Sequence, residues 1–295
     1  MTAMNTHTKP IHRSPTTVGA RTVLSVLLIV LTVSCLMRNG VWHDPLLLWE
    51  DVVAKSPDKA RGHIFLGIAD FDEFFTDAAL EQYKIAIRIE PNYAEAYFNL
   101  GKAYDAQGRA DMAIEFYETS VRLSDKDHDV PVSVLERNRA SSGYAPFAVA
   151  YDNLGNLYLQ QGRTREALDR FDRAILSSPL NPQYLIDRGL AYLQARELDR
   201  AIEDNTRAIA LDPAATVPYV NRGNAFDQKG MPDRALEDYA RAIKIEPNDA
   251  NIYYNRGITY YNMHKRDAAL ADLQKACVLG SEKGCIALGK VKARK

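Results

Sequence analysis

Six histidines, at positions 7, 12, 43, 63, 128 and 264, are scattered along the chain. None has the paired spacing on a helix face, or the cysteine neighbours, that would hold zinc. No glycine-rich phosphate loop, dinucleotide fingerprint or serine elbow occurs. The acidic runs at 70–73 and 125–129 lack the glycine and closing glutamate of a calcium loop, and they read as solvated surface. Cys277 and Cys285 stand close together, but two thiols are too few for structural zinc. What recurs with chemical content is an amide column: Asn99, Asn153, Asp187, Asn221 and Asn255, extended by Asn156 and Asn224. An amide donates and accepts at once, so such a row can hold the backbone of an extended peptide with little sequence preference. The competing reading is that these side chains bond neighbouring helices. The expectation is therefore a protein that is not an enzyme, with no catalytic residue, cofactor, metal or small-molecule substrate.

The column must be presented by a repeating frame. Gly67, Gly101, Gly155, Gly189, Gly223 and Gly257 are spaced by 34 residues, with 20 extra between the second and third. With glycine as position 8, the units begin at Ala60, Ala94, Ala148, Pro182, Thr216 and Ala250. Position 20 is then alanine six times: Ala79, Ala113, Ala167, Ala201, Ala235 and Ala269. Two small residues at fixed offset predict a close helix crossing. Position 24 carries the filling residue (Tyr83, Tyr117, Phe171, Tyr239, Leu273), with Asn205 as the exception. Position 32 is Pro91, Pro179, Pro213 and Pro247, each ending a helix. The amides occupy positions 6 and 9, and Phe65 takes position 6 of the first unit.

This pattern of an aromatic, Leu-Gly, Tyr, Ala, Phe or Tyr, Ala and Pro resembles the tetratricopeptide repeat (TPR) family over residues 60–283. The resemblance implies an all-α solenoid, a right-handed superhelix of antiparallel helix pairs whose first helices line a concave groove. Position 6 would face that groove, and the column resembles the asparagine ladder of the O-GlcNAc transferase solenoid. No lysine and arginine cluster resembles a carboxylate clamp. Two departures stand out. Asp70 replaces an aromatic at position 11, and Arg188, Arg222 and Arg256 replace leucine at position 7. Arginine there is expected to lay its stem over the core and keep its charge in water.

Residues 22–37 carry no charge and are bounded by Arg21 and Arg38. As a helix they reach about 24 Å, which snorkelling arginines and Trp42 can extend toward a bilayer core of about 30 Å. Lys9, Arg13 and Arg21 precede the segment, so the positive-inside rule places residues 1–21 in the cytoplasm and the solenoid beyond an inner membrane, on the periplasmic side. A single-pass signal anchor over 22–38 is the leading reading. A cleaved or lipoprotein signal at Cys35 and a buried soluble helix remain open. After it, Asp44 and Pro45 read as cap and first residue of a helix over 45–56, a half-repeat within 39–59. The remaining divisions are two units over 60–127, an inserted loop at 128–147, four units over 148–283, and a capping helix and tail over 284–295.

Two further resemblances bear on function. The run of Arg38, Asn39, Val41 and Trp42, then residues 48–53 and 55–61, resembles the junction before the TPR tail of transmembrane-and-TPR glycosyltransferases. With one apolar segment, this chain looks like the tail without the enzyme. Cys277 and Cys285, in ACVLGSEKGC, resemble the paired cysteines of Sel1-like repeats, which implies a disulfide in an oxidising compartment. Two reduced, half-buried thiols are the alternative. The net charge of −1 argues against nucleic acid. The expected function is a membrane-anchored scaffold binding a protein or extended peptide. The alternatives are an accessory subunit of a membrane glycosyltransferase or envelope-assembly complex, and a cytosolic adaptor.

Overall fold

A computed structural model describes residues 44–124 and 148–293. The apolar segment 22–37 and the inserted loop 128–147 lie outside the described residues. Fourteen helices and no strand occur among the described residues. No described helix is long and apolar enough to cross a membrane. The chain divides after Pro91 into two compact units.

The first unit holds α1 (Pro45–Lys55), α2 (Ala60–Asp72) and α3 (Thr76–Ile89). Helix α1 starts where the Asp44 carboxylate accepts the N–H groups of Leu46 (2.9 Å) and Leu47 (3.4 Å), with proline in the first turn. Trp49 of α1 stacks on Phe65 of α2 with centroids 4.5 Å apart. His63 is a core histidine, with Nε2 bonded to the Pro57 carbonyl at 3.0 Å and Nδ1 to Gln82 Oε1 at 2.8 Å. Asp70, read from sequence as solvated, is buried. Burial first, and then the charge of Glu50, raise its pKa.

The second unit holds five helix pairs and a closing helix. These are α4 (Ala94–Ala106) with α5 (Ala110–Ser124), α6 (Ala148–Gln160) with α7 (Thr164–Ser177), and α8 (Pro182–Gln194) with α9 (Leu198–Leu211). They continue with α10 (Val217–Gln228) and α11 (Pro232–Ile245), then α12 (Ala250–Asn262) and α13 (Arg266–Val278), then α14 (Glu282–Ala293). Helices α3, α7, α9 and α11 end two residues before Pro91, Pro179, Pro213 and Pro247. Two of those prolines offer their carbonyls to the next repeat: Tyr219 and Tyr253, at position 4, donate their hydroxyls to Pro213 (3.3 Å) and Pro247 (3.0 Å).

The alanines at position 20 are fully buried in all six pairs. The glycine at position 8 has a specific cause, because the ring at position 24 lies flat against it. A Cβ on Gly155 would stand 2.5 Å from Phe171 Cε1, inside van der Waals contact with a ring that has no exposure. On Gly257 it would stand 3.0 Å from Leu273 Cγ, where a flexible leucine can yield. Gly155→Ala is therefore expected to destabilise by about 2 kcal/mol through overpacking. Gly257→Ala should cost less than half of that, and urea unfolding of the two variants side by side measures the difference. A larger loss from Gly257→Ala would overturn the argument. At Gly189 the facing residue is Asn205, whose Nδ2 donates back to the Ala201 carbonyl at 2.7 Å while its Oδ1 is buried with no hydrogen-bond partner among the described residues.

Arginine at position 7 departs from expectation. The side chains of Arg188, Arg222 and Arg256 are only 16%, 19% and 20% exposed. Each guanidinium forks onto an aspartate 16 residues later. Arg188 meets Asp204 at 2.7 and 2.7 Å, Arg222 meets Asp238 at 2.8 and 2.7 Å, and Arg256 meets Asp272 at 2.7 and 2.9 Å. The charge is kept out of water and neutralised by a bidentate partner on the second helix of the same pair. The stem-and-solvent reading failed because it considered one helix alone. Arg188 also reaches back to Asp172 of the preceding repeat at 2.6 Å, and Arg222 to Thr206 Oγ1 at 3.1 Å.

At the far end, α14 lays Leu288 and Val291 on Leu273. Cys277 and Cys285 are joined by a disulfide, with Cα atoms 4.6 Å apart.

Candidate functional site

Positions 2, 5, 6 and 9 of the first helix in each pair follow the i, i+3, i+4, i+7 rule and share one face. In the second unit this face runs along α4, α6, α8, α10 and α12. It carries the whole amide column, so the structure shows how each member is employed.

Asn99 is buried and donates Nδ2 to the Glu95 carbonyl one turn back, at 3.0 Å. Asn153 is half-buried and donates Nδ2 to the Tyr117 hydroxyl of the preceding repeat, at 3.1 Å. Asn224 accepts the Tyr239 hydroxyl on Oδ1 at 2.8 Å. These bonds orient the amides and leave Asn153 Oδ1 and Asn224 Nδ2 outside them. Asn221 is 7% exposed, while Asn255 is half-buried beside Tyr254. Part of the column therefore bonds within the array, and Asn153 and Asn224 keep a polar atom outside these bonds.

Asp187 and Asn156 belong to a cluster that spacing alone does not reveal. Gln183 Nε2 donates to both oxygens of Asp187 at 3.0 Å, and Asn156 Nδ2 donates to Asp152 Oδ2 at 3.4 Å. Asp152, only 8% exposed, faces Asp187 across the gap between α6 and α8. Burial and then the Asp187 charge push the Asp152 carboxyl up to about 8, so it stays protonated at neutral pH and bonds to its neighbour. Burial also raises Asp187, against the bonds from Gln183, Asn156 and Asp152 that favour its charge. The two carboxyls face each other from consecutive repeats.

Apolar side chains lie among these polar groups. Val149 and Val217, both at position 2, are 51% and 54% exposed, and Leu190 at position 9 is 38% exposed. The sequence reading missed Asp152, Gln183 and these three; tracing positions 2, 5 and 9 through all units would have found them. Among the described residues, no group of three or more His, Cys, Asp or Glu side chains could hold a metal ion. The face is chemically suited to backbone hydrogen bonding and shallow apolar contact.

Residues 153–216, 94–127 and 250–277 match family patterns described as tetratricopeptide repeat. Residues 76–108 and 223–263 match a further pattern described as TPR repeat. The chain is a tetratricopeptide-repeat protein. No curated protein matches the sequence significantly. Among solved structures, this TPR protein is similar to a chain of the APC/C hetero-tetramer Cut9–Hcn1 (18% identity, TM-score 0.62). That match covers 83% of this chain and 45% of the other, so the chain spans less than half the length of that relative. It is similar to YrrB, a TPR protein with an unusual peptide-binding site, at 24% identity and TM-score 0.54, over 72% and 99% of the two chains. It is also similar to PilF of Pseudomonas aeruginosa, at 19% identity and TM-score 0.60, over 80% and 97%. These likenesses establish the TPR fold.

Proposed function

We propose that this TPR protein is a membrane-anchored scaffold that binds an extended protein segment along the first-helix face of its second unit. The observation that carries the reading is the alternation on that face: tyrosine-oriented amides at Asn153 and Asn224, interleaved with exposed Val149, Leu190 and Val217. An extended peptide presents a backbone polar group and a side chain at every residue, which this alternation can match. Anchoring through residues 22–37, with the repeats on the periplasmic side of an inner membrane, rests on the uncharged segment and the basic tail before it. The disulfide at the far end is in keeping with an oxidising compartment. The junction resemblance supports a narrower reading, in which the segment belongs to a membrane glycosyltransferase or envelope-assembly complex.

Peptide display tests the groove. Random twelve-residue peptides selected on the full-length protein in detergent should bind the wild type, and Leu190→Glu with Val217→Glu should weaken them at least about tenfold. Both residues are exposed, so circular dichroism and the melting temperature should not change. Selected peptides indifferent to the double substitution would place binding elsewhere and overturn the assignment.

A further inference from the structure

The turn inside each helix pair has a residue in the left-handed region at position 15. Three of these are Gly108, Gly162 and Gly230, and two others are the polar Arg196 and His264. In the first unit the position is Phe74, at φ 65° and 91% exposed, followed by Phe75 at 55%. A bulky side chain there is strained, and a bare aromatic ring gains nothing from water. Nothing in the packing of the unit accounts for two adjacent exposed rings.

Their location within that unit is fixed. A Cβ on Gly62 would stand 3.5 Å from Val53 Cγ2, Trp49 stacks on Phe65, and Glu50 acts on Asp70. Residues descending along α1 thus meet residues ascending along α2, so the helices are antiparallel. The Asp44 end of α1 lies beside the Asp72 end of α2, at the Phe74 turn. Leu47, one turn into α1 and 46% exposed, belongs to the same end. That is also where the chain arrives from the apolar segment 22–37. Seven peptide steps from Met37 to Asp44 reach about 25 Å at most, which keeps this end close to any bilayer the segment occupies.

We propose that the turn at Phe74 and Phe75 is a second membrane contact, with its rings at the headgroup–acyl boundary of the bilayer that holds residues 22–37. The inference rests on the anchoring read from sequence. Aromatic rings favour that boundary. The flanking acids Asp72, Glu73 and Asp77 set the lipid preference. Their charge is repelled by an anionic surface over roughly one Debye length, so the contact suits zwitterionic headgroups and weakens as anionic lipid is added.

The test uses the full chain in phosphatidylcholine vesicles. Flotation reports anchoring, and Phe74→Trp reports the turn through quenching by lipids brominated high on the acyl chain, after subtraction of the wild-type signal of Trp42 and Trp49. The expected result is flotation, with the introduced tryptophan quenched about twofold or more and less so when phosphatidylglycerol is mixed in. Phe75→Trp should repeat it. A floating protein whose introduced tryptophan ignores brominated lipid overturns the contact and leaves anchoring standing. In that case quenching by aqueous iodide would mean a free turn, and shielding from iodide a turn covered by protein. Failure to float overturns anchoring and the contact with it.

Discussion

Replacing Arg188 with leucine is expected to destabilise the protein by about 3–5 kcal/mol, the range for breaking a buried ion pair by removing one partner. Arg188 holds two aspartates at once, Asp204 at 3% side-chain exposure and Asp172 at 31%. Without the guanidinium the Asp204 carboxylate would stay buried without its counter-charge, next to the half-buried Asp172. Burial already raises Asp172 even with Arg188 bound, so that acid has little reserve. Since an array need not unfold in one step, hydrogen exchange of α7, α8 and α9 is the sharper readout, and a loss confined to them is expected. Arg222 and Asp238 give the control. Asp238→Leu alone should be costly, whereas Arg222→Leu with Asp238→Leu should recover most of the loss, because no buried charge remains. The second repeat supports this, with Leu100 and Phe116 at the same two positions. A double variant as weak as the single would mean that the pair contributes by shape and not by charge.

Asp152→Asn is expected to stabilise the protein above about pH 4, by an amount that grows until about pH 8. The folded carboxyl keeps its proton to about pH 8, while an unfolded aspartate loses it near pH 4. A raised folded pKa means that the stability of the neutral acid is complete below about pH 4 and is lost as pH rises through about 8. Asparagine cannot ionise, and it retains a donor toward Asp187. Urea unfolding of both proteins between pH 4 and 9 should show a difference near zero at the acid end, opening to the order of 2–4 kcal/mol by pH 8 and then levelling. The comparison cancels the carboxylates not coupled to Asp152, including those paired with arginine. Parallel curves would mean that Asp152 is ionised when folded.

The frame was legible because it is periodic. Glycine at position 8 and the residue at position 24, a ring in four of six units, constrain each other through contact inside one pair, so they recur in register. The arginine pairs were readable in principle, since position 23 is aspartate in the same three units that carry arginine at position 7 and is Gln82, Phe116 or Arg170 elsewhere. They escaped because the partner sits on the opposite helix. The binding face was legible as a column but not in its occupancy. Whether Asn153 is available depends on a tyrosine hydroxyl 36 residues earlier, and the raised Asp152 carboxyl depends on Asp187 at a different position of the next repeat. Such couplings depend on how repeats stack, which the period does not encode.

The bridge between Cys277 and Cys285 bears on how the array comes apart. A stack of repeats held by neighbour contacts frays from its ends, and among the described residues α14 packs only on α12 and α13. Closing so short a loop removes chain entropy worth about 2–3 kcal/mol from the frayed state. Reduction should therefore leave the interior untouched and let exchange run inward from α14, turning a closed terminus into the place where unzipping begins.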